Sequence, residues 1–208
     1  MNSDSGRLLL PGAFLPAAER YNLMPAIDRW VINRAFRCLE GMMSMQNWAE
    51  NSMLTINLSG HSLNHEDFLD YVKEQIKEYA IPQGRICFEI TETVAVANMP
   101  NTIVLINELK EYGCCFALDD FGSGVSSFSY LKNLPVDYLK IDGEFVRDMS
   151  NDTIDFAMVE TINKMGQLMG YKTIAEYVEN EKILQGLNEI GVNFAQGFLI
   201  GKPEPLSY

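Results

Sequence analysis

Short apolar runs alternate with longer segments of helical period along most of this chain, and this alternation constrains its fold more than any other feature. The runs are rich in β-branched and aromatic residues, as strands are. Six strands are predicted, over residues 53–58, 85–90, 114–119, 136–141, 172–175 and 193–200. Helices are predicted over residues 25–43, 66–79, 100–112, 126–133, 154–169 and 181–190. Strands that alternate with helices indicate βα units, and hence a parallel sheet covered by helices.

Two arrangements fit this alternation, an open doubly wound sheet and a βα barrel. Every predicted strand delivers a polar group at its end or just beyond it, and βα barrels take their catalytic residues from the C-terminal ends of many strands. We therefore predict an α/β fold of the TIM-like (β/α) barrel type. A complete barrel has eight strands, whereas six are visible in the sequence, so the predicted barrel is incomplete. No linker or low-complexity tract divides the chain, and residues 1–208 are predicted to form one domain.

The polar residues near the strand ends suggest a metal site. They are Asn57, Glu89, Glu92, Asp119, Asp120, Lys140, Asp142, Glu176, Glu179 and Gln196. Helix capping would explain some of the Asp and Asn residues, but Glu89 and Lys140 are not favoured caps and lie between apolar neighbours. Carboxylates from consecutive strands that converge on one barrel mouth would repel each other unless cations were bound.

The donor set indicates which ions and which chemistry to expect. Oxygen ligands without His or Cys favour Mg²⁺ or Mn²⁺. Adjacent carboxylates such as Asp119 and Asp120 could bridge two ions, which would clamp the attacking and leaving oxygens of a phosphoryl displacement. Metal-assisted phosphoester hydrolysis is therefore predicted. An aldolase with Lys140 as Schiff-base former is disfavoured, because surrounding carboxylates should raise the pKa of that lysine.

Composition limits the partners and the compartment. The chain has 28 acidic and 16 basic residues and a net charge of −12, a surface that repels nucleic-acid polymers and anionic membranes. No run approaches the roughly 18 apolar residues of a membrane span. The four cysteines, which form no C-x-x-C pair, are predicted to be buried reduced thiols. We expect a soluble, cytoplasmic protein that contacts neither membrane nor nucleic-acid polymer.

Several further features have ordinary interpretations. His61 and His65 are four residues apart, but an exposed loop and helix start explains them better than metal ligation. The glycine-rich segment 120–127 lacks the pattern of a P-loop, and is either a flexible turn or a mobile loop over the site. Trp30 and Trp48 are predicted to pack in the core.

Seven ordered motifs carry a resemblance to a known family. They are P-x-x-F-x-P-x-A-E at residues 11–19, Asn57-Leu58-Ser59, Glu89-Ile90-Thr91-Glu92, Asp119-Asp120-Phe121-Gly122-Ser123-Gly124, Lys140-Ile141-Asp142, Ala175-Glu176-Tyr177-Val178-Glu179 and Gln196-Gly197-Phe198. Over about residues 7 to 205 the chain resembles the EAL domain family, the bacterial cyclic di-GMP phosphodiesterases. The resemblance implies an eight-stranded barrel that hydrolyses one phosphodiester bond of cyclic di-GMP to give linear pGpG.

The resemblance also implies roles for individual residues. The implied ligands of one Mg²⁺ or Mn²⁺ ion are Asn57, Glu89 and Asp119, and those of the second are Asp119, Asp120 and Glu176. Lys140 would contact the attacking water, and Glu176 would assist as base. Glu92 resembles the residue that steadies the loop 121–127, which links metal binding to dimer formation in the family. The implied supporting site residues are Asp142, Glu179 and Gln196.

The chain also departs from the family pattern. No Glu-Ala-Leu tripeptide occurs, and the strand that carries it, with a metal-binding Glu and a nearby phosphate-binding Arg, would lie upstream. Tyr177 stands where the family usually has Gly, and Val125 where Tyr is frequent. We expect an EAL-type domain that lacks its N-terminal strands, with upstream domains in a parent protein, a homodimer through the barrel, and little turnover by this chain alone. The alternative is an inactive cyclic di-GMP receptor or interaction module of the same descent.

Overall fold

A computed structural model describes residues 9–44, 52–65, 67–124 and 128–205. Its core is a sheet of parallel strands joined in sequence order from β1 to β6. The strands are β1 Leu54–Asn57, β2 Ile86–Thr91, β3 Cys115–Phe121, β4 Tyr138–Ile141, β5 Lys172–Ala175 and β6 Phe194–Ala195. This is a half-barrel, and it confirms the α/β fold and the six predicted strands. The predictions for Trp48 and for residues 66 and 125–127 lie outside the described residues.

Helices follow most strands and cover one face of the sheet. They are α1 Pro11–Arg20, α2 Met24–Ser44, α3 Gly60–Leu63, α4 Phe68–Glu78, α5 Glu92–Ala97, α6 Met99–Lys110, α7 Gly143–Asp148, α8 Thr153–Leu168 and α9 Glu181–Ile190, with a 3₁₀ helix at Phe128–Asn133. The sequence reasoning missed α1, α3, α5 and α7. The last three have four to six residues, which is too short to show a helical period. At α1, the sequence showed only a short apolar run, residues 8–10, stopped by Pro11, but Pro11 lies at the start of the helix, where proline is tolerated.

The core lies between the outer face of the sheet and the helices. Phe88 and Phe116 on neighbouring strands are fully buried, with ring centroids 5.7 Å apart. Leu109 of α6 and Phe68 of α4 are fully buried in the same cluster. Trp30 is an exception, because it is 68% exposed on α2 and so does not pack as predicted.

The alternation of side chains along the strands gives the inner face its polar character. Successive side chains of a strand point to opposite faces, so Glu89 lies on the face opposite Phe88, and Lys140 on the face opposite Leu139. The concave face of the half-barrel therefore receives the polar groups at the carboxyl ends of the strands. The predicted strand 193–200 is much shorter in the structure, since β6 comprises Phe194–Ala195 alone. Within the described ranges, no helix is long and apolar enough to cross a membrane.

Candidate metal centre at the carboxyl ends of the strands

Lys140 of β4 lies at the centre of the polar cluster on the concave face. Its Nζ donates a hydrogen bond to Glu89 Oε2 of β2 at 3.1 Å. It also forms ion pairs with Asp119 Oδ1 of β3 and with Glu176 Oε1, directly after β5, both at 2.8 Å. Glu89, Asp119 and Lys140 are buried. The structure thus brings together four residues that the sequence places on four different strands.

The charge state of Lys140 follows from two opposing effects. Burial by itself would lower the pKa of the ammonium, but the negative charges of Glu89 and Asp119 outweigh burial and raise that pKa above its usual value. Burial raises the pKa of Glu176, and its contact with the Lys140 ammonium opposes this effect. Lys140 therefore remains a cation at neutral pH, in line with the prediction that argued against a Schiff-base lysine.

A bulge in β3 lets two consecutive aspartates serve one site. Between Leu118 and Phe121 the register of β3 against β4 shifts by one residue, and Asp120 adopts a left-handed backbone with φ of 54°. In a regular strand Asp119 and Asp120 would point to opposite faces, whereas a bulge redirects a side chain. As a result, carboxylate oxygens of Asp119, Asp120 and Glu176 all lie within 4.8 Å of one another. Burial, followed by the charges of Asp119 and Asp142, raises the pKa of Asp120.

These carboxylates fit a divalent cation. The buried Oδ1 of Asp119 lies 2.8 Å from Lys140 Nζ but accepts no hydrogen bond from the described part of the chain. This oxygen is held by the ammonium as an ion pair, so it keeps lone pairs with which it could also bind a metal ion. One ammonium also faces four carboxylates, those of Glu89, Asp119, Asp120 and Glu176. The site therefore carries excess negative charge, and its possible metal ligands are carboxylate oxygens. Both properties are typical of sites for hard divalent ions.

Asn57 lies beside this cluster at the end of β1. It is the register partner of Glu89 on β2, and its side chain is exposed. Asp28 of α2 holds the turn that follows, because its Oδ2 accepts hydrogen bonds from the Ser59 N–H at 2.9 Å and the Ser62 hydroxyl at 2.6 Å. Sequence reasoning missed Asp28. Its position on the apolar face of the predicted helix 25–43 could have identified it, because a carboxylate on such a face is expected to be buried and hydrogen-bonded.

Glu92 supports the segment that follows β3. It is 1% exposed at the start of α5. Its carboxylate accepts hydrogen bonds from the Gly122 N–H at 3.1 Å and from the Tyr130 hydroxyl. Burial and the bond to Glu92 raise the pKa of Tyr130. Tyr130 was not among the predicted residues, since a single tyrosine in a short 3₁₀ helix gives no sequence signal.

The remaining predicted residues are not among the ion-pair partners of Lys140 in the described part of the chain. Asp142 accepts a hydrogen bond from the Glu144 N–H at 2.8 Å and so caps α7, which is the capping role that the sequence left open. Glu179 and Gln196 are exposed and line, with Glu176, a cavity of about 320 Å³. Glu176 therefore belongs both to the acidic cluster and to this neighbouring cavity.

Curated proteins with related sequences are named as cyclic di-GMP phosphodiesterases. The chain is 46% identical over 202 residues to cyclic di-GMP phosphodiesterase PdeB of Shewanella oneidensis, covering 97% of this chain and 23% of that protein. It is 38% identical over 188 residues to cyclic di-GMP phosphodiesterase PdeA of Borreliella burgdorferi, covering 90% of this chain and 28% of that protein. The chain thus spans about a quarter of the length of these relatives.

Solved structures show the same fold. The phosphodiesterase PaMucR in complex with c-di-GMP superposes with a TM-score of 0.89 at 32% identity, covering 98% of this chain and 82% of that one. The EAL domain of FimX from Pseudomonas aeruginosa, bound to c-di-GMP, superposes with a TM-score of 0.90 at 26% identity, covering 100% of this chain and 83% of that one. The EAL domain model matches residues 1–203. With that match and the 46% identity to a relative along nearly the whole chain, this protein belongs to the EAL domain family.

Proposed function

We propose that this chain is the catalytic domain of a metal-dependent phosphodiesterase that hydrolyses cyclic di-GMP to linear pGpG. The main support is the cluster in which Asp119, Asp120 and Glu176 offer oxygens within 4.8 Å of one another beside a buried lysine. The names of the related phosphodiesterases and the c-di-GMP bound in similar structures support the choice of substrate.

The chain's residues divide into two groups of proposed ligands. Asp119, Asp120 and Glu176 would hold one Mg²⁺ or Mn²⁺ ion, and Asn57 and Glu89 would join Asp119 at a second. When bound, such ions neutralise phosphate charge, activate water and stabilise the leaving oxygen. The carboxylate oxygens of Asp119, Asp120 and Glu176 within 4.8 Å of one another, and the bulge in β3 beside Asp120, support this assignment.

Lys140 would act as a charged hydrogen-bond donor, and Glu176 would act as a proton acceptor. Lys140 Nζ, held by carboxylates at 2.8 and 3.1 Å, can donate a hydrogen bond to a water or a phosphate oxygen. Glu176 Oε1, polarised by that ammonium, would accept a proton from the attacking water. The raised pKa of Glu176 makes this carboxylate a better base than an exposed one. Glu92 would hold the segment at Gly122 in position beside the cluster.

The activity test uses an N-terminally extended version of the chain with Mg²⁺ or Mn²⁺, and follows pGpG by chromatography. We expect the extended version to form pGpG, the present chain to show little turnover, and Asp119→Ala to abolish activity. Lys73→Met, which removes an ion pair between Lys73 of α4 and Glu108 of α6, two helices that carry no residue of the cluster, is the control that keeps activity. Binding of cyclic di-GMP without any pGpG would instead support a receptor function.

We also propose an oligomeric state, further domains and a location for this protein. A homodimer through the barrel, upstream domains in a longer protein and a cytoplasmic location all stay predictions. The small share of the curated relatives that the chain covers is consistent with a longer parent protein. Sedimentation of the extended version with and without Mg²⁺ would test the dimer.

A further inference from the structure

We propose that Tyr177 is a base-stacking residue that positions a purine of the substrate beside the acidic cluster. The inference rests on the proposed function, since it assumes a cyclic purine dinucleotide with its phosphate at the cluster. It concerns a residue at which this chain departs from the usual family pattern.

The backbone of Tyr177 is the first observation. Its φ of 54° lies in the left-handed region, where a residue with a Cβ is strained. A glycine at this position would adopt that conformation freely. Backbone strain of this kind clusters at ligand clamps and active sites. We therefore expect the tyrosine ring to have a function that offsets this strain.

The second observation is that helix α7 holds the ring in place. Gly143 and Arg147 are four residues apart and so lie on the same face of α7. The Arg147 guanidinium lies 4.8 Å from the centroid of the Tyr177 ring. A Cβ added at Gly143 would come within 2.0 Å of Tyr177 Cδ2, so the ring occupies the space that this glycine leaves. The ring is thus oriented before any ligand arrives, which lowers the entropic cost of binding.

The third observation is the cavity beside the ring. Its volume is about 320 Å³, and its lining includes Glu176 of the acidic cluster together with Tyr177 and Phe198. Tyr177 is 50% exposed and Phe198 is 58% exposed, so both present aromatic surface to solvent. Because α7 covers one side of the Tyr177 ring, the exposed half is the part available to a ligand.

The chemistry of the cavity suits a guanine base. A flat base can stack on an aromatic face, an interaction that contributes about 1–3 kcal/mol per base. The Glu179 carboxylate and the Gln196 amide, which also line the cavity, can accept hydrogen bonds from the ring N–H and amino groups of guanine. A phosphate at the acidic cluster and a base on Tyr177 would thus occupy adjoining sites that share Glu176.

The test measures binding of a hydrolysis-resistant phosphorothioate analogue of cyclic di-GMP to the N-terminally extended version of the chain in Mg²⁺ by calorimetry. Tyr177→Gly removes the ring and relieves the backbone, whereas Tyr177→Phe keeps the ring. We expect Tyr177→Gly to raise the Kd about 5- to 150-fold and Tyr177→Phe to stay within about twofold. Tyr21→Ala is the matched control, because Tyr21 is another exposed tyrosine with an arginine, Arg20, over its ring at 6.0 Å, and it lies directly after α1. It should leave the Kd unchanged.

A spectroscopic signature separates stacking from a structural role. In an analogue with 2-aminopurine in place of one guanine, fluorescence should be quenched by the parent and by Tyr177→Phe, and much less by Tyr177→Gly. If Tyr177→Gly binds within about twofold of the parent, with the same quenching and a native circular dichroism spectrum, the inference is overturned while the proposed function stands. If the extended version without substitutions binds no analogue at all, the proposed function fails, and this inference fails with it.

Discussion

Replacing Lys140 with methionine would leave Glu89, Asp119 and Glu176 facing one another without their shared ammonium. The three contacts measure 3.1, 2.8 and 2.8 Å. At an effective dielectric constant of about 20, each contributes about 5–6 kcal/mol of attraction before the cost of desolvation. Removal of one partner from a buried ion pair costs about 3–5 kcal/mol. We expect Lys140→Met to lower the free energy of unfolding by that amount, at the upper end because three carboxylates lose the same partner.

Urea denaturation followed by circular dichroism measures this loss, once in a chelator and once in Mg²⁺. Because a divalent cation brings two positive charges to the same carboxylates, Mg²⁺ should restore part of the lost stability. The control is Lys73→Met. Its ion pair with Glu108 is short, at 2.7 Å, but the glutamate side chain is 44% exposed, and exposed pairs contribute about 0–1 kcal/mol.

A double variant keeps the test informative if Lys140→Met does not fold. Glu89→Gln combined with Lys140→Met removes one negative charge together with the positive one, and should be more stable than Lys140→Met alone. A loss in chelator no larger than that of Lys73→Met would refute the buried-cluster reasoning. An equal loss with and without Mg²⁺ would refute the proposed metal site.

Three further predictions concern residues around the site. Asp28→Ala removes the acceptor of the Ser59 N–H and should lower the free energy of unfolding, measured by urea denaturation, by about 1–3 kcal/mol. Asp28→Asn keeps an oxygen and should lower it less. Equal losses for the two variants would contradict the assignment. Glu92→Ala should speed hydrogen exchange at the Gly122 amide, its partner at 3.1 Å, relative to Glu92→Gln; unchanged exchange would count against that bond. Burial raises the pKa of Cys114 to about 12, so this thiol is neutral at pH 8. It should therefore react with iodoacetamide only after unfolding. Labelling of Cys114 to the same extent in the folded and the unfolded chain would contradict its burial.

Much of the fold could be predicted from local sequence pattern. Strand β5, Lys172–Ala175, and helix α9, Glu181–Ile190, have the predicted bounds, because apolar runs and helical period depend on neighbouring residues alone. The four cysteines are free, three of them buried and Cys115 partly so. The polar residues at the strand ends could likewise be named in advance, since parallel strands deliver their carboxyl ends to one edge of the sheet.

What the sequence by itself determined, then, was the order of strands and helices and the set of polar residues that follow each strand, because both depend on spacing along the chain. Only the tertiary structure decided which of those residues meet. The bulge that brings Asp119 and Asp120 to one side is a shift of β3 against β4, and the three partners of Lys140 lie on strands far apart in sequence. The role of Asp142 as a cap and the exposure of Trp30 were decided in the same way. Each depends on distances between elements, which no local pattern contains.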